Sequence, residues 1–517
     1  MENTLIFNQY DMVISFTEDA INAELKKLAY EGTIKQEIVL YRVLNAQGIY
    51  DYTIANSNSD VPQGAEYIDG MVIPGIRIDH SGSNVVLVLN FISGKGYFAD
   101  KNGFGPLAKL QEYDMSNWKY GFTVNLDLTS YKDDGTHKPS PAVEQQLKNF
   151  NAGNLSIDCL FLDFVSSDLK TTIPAETSCP AEMIEFMSFY FMHLNSTGNP
   201  YILGYSANAS GSSSFSQNIP PQLKPVGTDY TMFSDPNYPA LSNLNYTLVT
   251  QGGHGSISGS PATLDSNWFN PNSTPAGKMI ISSQCLLEAL ILRPFYNNLQ
   301  QQTIAQVSQH VNVGAGNSYD AAKSVQGNAW SFNISNVNGG DDQYVNNFAV
   351  VLQNAGNAIN LEFTGGVHIY KEVSKDCFFC TARAHASADI QWKGVVNISI
   401  ANGQLQLNKS FNITGQNSDH DTNSCADAFS WMGAIIGGIL DVFTFWTDNG
   451  MFSNLLSDAL SINLPGIGDL TIGLDNFSNS INNMVLTPTG SKYNLSPSGN
   501  SPAIDQKGDV YLGLSLN

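Results

Sequence analysis

The chain has 517 residues, of which 42% are hydrophobic and 11% aromatic, enough to form the cores of two or more domains. Lys and Arg number 24 against 46 Asp and Glu, which gives a formal net charge of −22. A surface this acidic repels nucleic acid and anionic lipid headgroups unless a local basic patch intervenes. The sequence shows no such patch, so the composition argues against a nucleic-acid partner.

The first residues contain neither the basic nor the apolar region of a secretory signal. Six cysteines in a chain of this length do not indicate a disulfide framework. We therefore expect synthesis in the cytoplasm, with any release following a non-classical route.

Residues 10–30 predict a strand followed by a helix. Thr17 suits the N-cap position, and Glu18 and Asp19 in the first turn suit the positive end of the helix. Apolar residues then recur at helical spacing, namely Ile21, Leu25 and Leu28. Strand patterns follow at 37–44, 71–78, 84–91, 120–128 and 155–164, with helical patterns at 141–150 and 179–194.

The opening pattern recurs in the second half of the chain. The segment MVIS at 12–15 returns as MIIS at 279–282, and each segment precedes a helical pattern, the second of which we expect to end before Pro294. Alternating strands and a late apolar helix complete both halves. The order of elements predicts two related modules, 1–260 and 261–517, joined through a stretch rich in Ser, Asn, Gly and Pro.

The longest apolar run extends from Cys425 to Trp446. As a helix it has one small or polar stripe, consisting of Asp427, Ser430, Ala434, Gly437, Asp441 and Thr444. Its uninterrupted part, 428–440, would span about 20 Å, less than the bilayer core of about 30 Å, and it lacks basic flanks. We therefore expect a helix enclosed by the protein's own sheet, in preference to a membrane span.

Three segments resemble a known family. They are DMVISFTEDAINAEL at 11–25, GKMIISSQCLLEALILRPFYNNL at 277–299 and SWMGAIIGGILDVF at 430–443. They are similar to the TULIP-type accessory proteins of OrfX-type clostridial neurotoxin clusters, the forty-seven-kilodalton class, and to related insecticidal toxin-cluster proteins. The resemblance implies tubular lipid-binding modules without catalysis. The Ser- and Asn-rich insertions at 205–275 and 310–345 depart from that pattern.

The residues themselves favour the same fold class, α+β, with two modules in which a long curved antiparallel sheet wraps a long apolar helix. An open seam in such a sheet would be an apolar groove, whereas a seam filled by side chains would bind nothing. The candidate groove residues are the apolar residues of the three helices: Ile21, Leu25, Leu28, Leu286, Leu290, Trp431, Ile435 and Ile439.

Two motifs invite chemical interpretations. Cys377, Cys380 and His385 are weak zinc candidates, because only one C-x₂-C pair occurs; a buried thiol pair or a surface disulfide is the alternative. Asp419-His420-Asp421 lacks an accompanying nucleophile motif, which favours a solvated loop over a hydrolase site. No cofactor motif is present in the sequence.

The sequence therefore predicts a non-enzymatic protein that binds lipid or another long apolar ligand within a toxin or insecticidal complex. Other toxin-cluster proteins and a membrane surface are the expected further partners. Two alternatives stay open. One is a β-rich toxin that inserts 425–446 into a membrane, and the other is a structural or carbohydrate-binding protein with a filled core.

Overall fold

The computed structural model describes residues 10–79, 82–99, 109–152, 156–167, 171–173, 180–208, 221–253, 255–256, 268–269, 276–319, 322–323, 328–426, 429–460, 482, 484–497, 501–505 and 507–516. Within these ranges most of the ordered backbone is β-structure. Six α-helices accompany the strands, which confirms the α+β class.

The strands, in chain order, are β1 (Met12–Thr17), β2 (Glu37–Leu44), β3 (Tyr50–Ala55), β4 (Glu66–Arg77), β5 (Asn84–Ala99), β6 (Leu110–Asp114), β7 (Lys119–Ser130), β8 (Ser156–Asp163), β9 (Thr171–Ile173), β10 (Ile202–Asn208), β11 (Pro225–Phe233), β12 (Asn243–Thr250), β13 (Gly277–Ile281), β14 (Ala322–Lys323), β15 (Ala329–Gly339), β16 (Asp342–Asn354), β17 (Ala358–Asp376), β18 (Thr381–Ala401), β19 (Gln404–Thr422), β20 (Val485–Leu486), β21 (Tyr493–Ser496), β22 (Ala503–Ile504) and β23 (Val510–Leu516). The helices are α1 (Glu18–Tyr30), α2 (Pro141–Ala152), α3 (Glu182–Thr197), α4 (Arg293–Val307), α5 (Ser430–Thr447) and α6 (Met451–Leu460). A π-helical segment, Gln284–Leu292, leads directly into α4.

The first half is built on a ten-stranded sheet with the order β20-β10-β8-β7-β5-β4-β2-β3, to which β6 and β9 add at β5 and β7. Side chains along β4 alternate between buried and more exposed positions, as expected for a sheet with one face on the core. The buried face of α3 packs on this core. Phe186 contacts the rings of Tyr52 and Phe98, and Phe191 contacts those of Phe122 and Phe164.

The second half contains a six-stranded antiparallel sheet whose strands follow chain order from β14 to β19. Helix α4 lies against its buried face through Phe295, whose ring contacts the rings of Phe348, Phe363, Trp392 and Phe411. Helices α5 and α6 cover β18 and β19 and also contact α4. The helix that this curved sheet encloses is therefore α4.

A third sheet joins the two halves in the order β11-β12-β1-β13-β23-β21, with β22 pairing β23. Strands β1 and β13, which carry the recurring sequence segments, lie side by side and antiparallel, with Met12 opposite Ile281 and Ile14 opposite Met279. The late strand β20 pairs with β10 in the sheet of the first half. The predicted division at residue 260 stays a prediction.

The prediction that the apolar run is enclosed on all sides is wrong. Only five of the 18 residues of α5 are buried, namely Met432, Ile436, Gly438, Ile439 and Trp446. The predicted polar stripe faces outward, with Ser430, Ala434, Asp441 and Thr444 exposed, while Asp427 lies outside the described residues. Periodicity identifies the faces of a helix but does not show how many of them the protein covers.

The helix predicted to stop before Pro294 instead continues. The π-helical segment passes into α4, and Pro294 occupies the first turn of α4. The N–H of Arg293 bonds to the carbonyl of Glu288, five residues earlier, so the change of helical pitch falls at the proline. A proline has no N–H to donate, and at this position it coincides with the change from π-helical to α-helical hydrogen bonding.

Helix α1 begins as predicted. The Thr17 side chain accepts a hydrogen bond from the Ala20 N–H at 3.2 Å, and Glu18 accepts one from the Ile78 N–H at 2.7 Å. Burial, opposed by that hydrogen bond, raises the pKa of Glu18 to about 7. The folded state therefore binds a proton that the unfolded state releases at lower pH, and stability should fall as the pH rises from 5 to 8.

We expect Glu18→Gln to remove this pH dependence and to stabilise the protein by about 1 kcal/mol at pH 8, with little effect at pH 5. Glutamine keeps an oxygen that can accept from Ile78 but carries no charge. Urea unfolding at both pH values measures the effect. Glu31→Gln, at an exposed position just after α1, is the control and should leave the pH dependence of stability unchanged. If the free energy of unfolding changed with pH equally in Glu18→Gln and in the unmodified chain, Glu18 would not be the source of the pH dependence.

Candidate functional site

Helix α5 is held to the second half by one row of side chains. Met432, Ile436, Ile439 and Trp446 are buried, and the Trp446 indole N–H donates to the Gln306 side-chain oxygen. At Gly438 a Cβ atom would lie 2.4 Å from Nδ1 of His310, so only glycine permits this close approach. These buried side chains determine which face of α5 packs against β18, β19 and α4.

A second apolar row of α5 is left at the surface. Trp431 is 41% exposed and Phe445 47% exposed, whereas Ile435 and Val442 are half-buried. The helix is long and apolar enough to cross a membrane by length and composition. We refer to Trp431, Ile435, Val442 and Phe445 as the α5 row. It is an apolar strip that the described residues cover only in part, and most of its exposed surface belongs to Trp431 and Phe445.

A cleft of about 590 Å³ opens at the N-terminal end of the α5 row. Its walls come from the β15–β16 turn, the end of β17 and Trp431. Lys371 forms an ion pair with Asp342, and the backbone N–H of Asn312 donates to the same carboxylate at 2.9 Å. The cleft thus places a paired ammonium and carboxylate beside an indole ring.

The turn that shapes this cleft follows from its sequence. Gly340 has φ = +53°, in the left-handed region that glycine adopts without strain, and it connects β15 to β16. Lys371, on β17, lies opposite Asp342, on β16, because the two strands pair in that register. Lys371 and Asn312 were not identified from the sequence, because strand register brings Lys371 to Asp342 and the fold brings the loop with Asn312 to the same carboxylate.

The predicted groove residues occupy different environments. Six of them are buried in one continuous core: Ile21, Leu25, Leu28, Leu286, Leu290 and Ile439. Ile435 is half-buried, and Trp431 reaches the cleft. Only the last two lie where a ligand could reach them without opening the core, and their role in binding stays a prediction.

The cysteines pair in a way that the sequence did not predict. Cys380 forms a disulfide with Cys425, while Cys377 is a half-buried free thiol. The Cys380 sulfur is therefore not a thiolate, the form that binds zinc. His385 stacks near Tyr370, and among the described residues no three potential ligands converge on a metal site.

The Asp419-His420-Asp421 segment is not the solvated loop that was expected. It forms the exposed end of β19, paired with β18, where His420 lies opposite Ala386 and Asp421 opposite His385. A strand with one buried face shows alternating apolar and polar residues, but this end of β19 is exposed on both faces and its residues are polar on both. Consequently there was no apolar period to detect.

No protein-family model matches the chain, and no curated protein sequence matches it significantly. Among solved structures the chain is similar to the crystal structure of P47 of Clostridium botulinum E1, with a TM-score of 0.50 and 14% identity, over 98% of this chain and 99% of that one. The crystal structure of lipopolysaccharide binding protein aligns over 98% of this chain and 99% of that one at 8% identity. Its TM-score of 0.27 is too low to indicate a shared fold. The similarity to P47 supports a TULIP-like fold with a curled antiparallel sheet.

Proposed function

We propose that this protein is a non-enzymatic binder of lipid or another long apolar ligand, acting as a component of a toxin or insecticidal complex. The toxin context comes from the sequence resemblance to accessory proteins of clostridial neurotoxin clusters. The similarity in fold to P47 is compatible with that context. The observation that carries the binding proposal is the exposed α5 row.

An apolar strip in water is unfavourable, and each acyl CH₂ group that it buries gains about 0.8 kcal/mol. An acyl chain lying on the α5 row would contact Ile435, Val442 and Phe445 in turn. Its polar end would then reach the cleft at Trp431, whose wall offers charged and hydrogen-bonding groups, including the Lys371–Asp342 pair. A two-part site of this kind, apolar strip and polar end, suits an amphiphile such as a fatty acid or phospholipid.

The disulfide supports release of the chain after synthesis. Disulfides form and persist in oxidising compartments and are rare in the cytosol. The bond joins Cys380, in the turn between β17 and β18, to Cys425, in the segment that leads into α5. A protein made in the cytoplasm and then released by a non-classical route would acquire this bond outside the cell.

Delipidated full-length protein should take up a fluorescent fatty acid or phospholipid. Ile435→Gln with Phe445→Gln should weaken uptake about tenfold or more, because two apolar contacts along the row become polar. Ala434→Gln, on the exposed polar stripe of the same helix, is the matched control and should bind normally. An absence of uptake at micromolar protein, together with an organic extract free of lipid, would contradict the proposal.

The second candidate is a membrane-inserting toxin, favoured by the length, apolar composition and low burial of α5. Insertion would require α5 to leave β18 and β19. Dye release from liposomes below about pH 5, where Asp side chains begin to neutralise, would support it. Under the ligand-binding proposal, liposomes stay sealed across that pH range.

A further inference from the structure

The hairpin between β17 and β18 ends in two phenylalanines that contact little of the protein. Phe378 and Phe379 have relative exposures of 102% and 100%, with ring centroids 6.4 Å apart. The turn that presents them is closed by a hydrogen bond of 2.9 Å from the Cys377 N–H to the Cys380 carbonyl. Two adjacent, fully exposed aromatic rings are an unfavourable surface in water.

This apex extends beyond the rest of the six-stranded sheet. The last β17 residue paired with β16 is Lys371, and the last β18 residue paired with β19 is Ala384. Because Ala384 pairs with Val373, the hairpin is two-stranded only from the Ser374–Arg383 pair to the Asp376–Thr381 pair, a reach of about 10 Å at the rise of a strand. The rings therefore stand clear of the surface that surrounds them.

The apex is also braced. The Cys380–Cys425 disulfide ties it to the segment that leads into α5. Asn423 donates to the Thr381 carbonyl at 2.8 Å and accepts from the Arg383 N–H at 3.0 Å, and the Lys375 ammonium lies 5.5 Å from the Phe429 ring centroid. A rigid apex loses less conformational entropy when it binds than a flexible loop does.

The charges beside the apex differ from those of the whole chain. In the two-stranded part, 374–383, Lys375 and Arg383 contribute +2 and Asp376 contributes −1, a local net charge of +1 against −22 overall. Asp376 accepts a hydrogen bond from the Thr381 hydroxyl at 2.7 Å. Lys375 and Arg383 are exposed and can meet an anionic surface.

A third aromatic residue lies at the base of the hairpin. Trp431 shares the cleft with Glu372, Val373 and Ser374 of β17. Tryptophan favours the boundary between headgroups and hydrocarbon because its ring is apolar and its N–H is polar. The hairpin therefore presents apolar rings at the apex, basic groups next to them and an indole below.

The size and shape of this feature favour a bilayer over a protein partner. Two phenylalanines offer about 300–500 Å² of apolar surface, less than the about 800 Å² that each side of a stable protein interface buries. A narrow apex would also need a matching pocket in a protein, whereas a fluid bilayer needs no shape complementarity. Basic residues beside inserted aromatics match an anionic headgroup layer.

We propose that Phe378 and Phe379 insert into the interfacial region of an anionic lipid bilayer, with Lys375 and Arg383 in contact with the headgroups. The docked protein then has its cleft and the α5 row next to the membrane. Docking through the apex does not require that the α5 row bind a ligand. The two activities are therefore separable by mutation.

Flotation of the full-length, disulfide-bonded protein with vesicles of phosphatidylcholine containing phosphatidylserine tests the proposal, with pure phosphatidylcholine vesicles in parallel. The unmodified chain should bind the anionic vesicles more tightly. Phe378→Ser with Phe379→Ser should weaken that binding about 100-fold, since two buried rings are lost. Lys375→Gln with Arg383→Gln should lower binding to anionic vesicles alone and reduce its salt dependence.

Tyr30→Ser with Met192→Ser removes two exposed apolar side chains elsewhere and should leave vesicle binding unchanged. All variants alter exposed side chains, so their circular dichroism and disulfide should match the unmodified chain. Docking by the apex is overturned if the unmodified chain shows no detectable vesicle binding. It is also overturned if the Phe378→Ser/Phe379→Ser variant binds vesicles as tightly as the unmodified chain. Fatty-acid uptake by that variant should stay normal, so a failure of docking is distinguishable from a failure of ligand binding.

Discussion

Replacing Arg42 with methionine should lower the free energy of unfolding by about 3–5 kcal/mol. Arg42 and Glu66 are both almost fully buried, and the Arg42 Nε donates to the Glu66 carboxylate at 2.5 Å. Burial opposes the charge of Arg42, but hydrogen bonds with Glu66 and Tyr52 raise its pKa. Methionine fills much of the volume yet leaves the Glu66 carboxylate buried without its cation.

The same network joins β2 to four other elements of the first half, namely β3, β4, β5 and α3. Arg42 on β2 bonds to Glu66 on β4, to the Tyr52 hydroxyl on β3 at 2.8 Å and to Glu185 on α3. The other Glu66 oxygen accepts from the Ala99 N–H at 2.6 Å. We therefore expect the substitution to loosen α3 from the sheet as well.

Arg77→Met is the matched control, because the Arg77–Asp79 pair is solvent-exposed and should contribute no more than about 1 kcal/mol. Denaturant unfolding at pH 7 compares the two variants. Adding Glu66→Gln to Arg42→Met removes the uncompensated charge and should recover part of the loss. If Arg42→Met and Arg77→Met were equally stable, the buried pair would not have the energetic role assigned here.

Removing the disulfide by Cys380→Ala with Cys425→Ala should lower the free energy of unfolding by about 2–4 kcal/mol. The bond closes a loop between residues 45 apart in sequence, so its loss increases the entropy of the unfolded chain. Because Cys425 lies just before α5, hydrogen exchange should rise most across 429–447. Denaturant unfolding under non-reducing conditions and exchange mass spectrometry measure the two effects.

Cys377→Ala, in the same turn, is the control and should keep both the cross-link and the stability. Peptide mapping of the unmodified chain should recover Cys380 joined to Cys425. A cross-linked peptide that contains Cys377 instead would show that the turn pairs differently. The vesicle assay can be repeated on the Cys380→Ala/Cys425→Ala variant, in which a less rigid apex should bind more weakly.

Local signals in the sequence predicted much of the secondary structure. The Thr17 cap, the β2 strand and the alternation along β7 depend on neighbouring residues alone, and the structure has each of them. Helical spacing also predicted the apolar row of α5. What surrounds that helix was not, because its neighbours α4, β18 and β19 are brought to it by the fold.

The candidate site was predicted only in part. Trp431 and Ile435 were identified from the apolar run, but Lys371 and Asp342 meet through strand register across β16 and β17. The pairing of Cys380 with Cys425 could not be deduced, since sequence does not determine which cysteines are joined. Phe378 and Phe379 were visible in the C-F-F-C motif, yet exposure at an apex is a property of the folded hairpin.

The position of β1 between β12 and β13 has a consequence for synthesis on the ribosome. All six residues of β1 are buried, and Met12 pairs with Leu248 and Ile281. At up to about 20 residues per second, the nascent strand waits roughly 12 s or longer for its first partner to emerge. During that interval MVISF is an unpaired apolar segment, a natural binding target for a chaperone acting during translation.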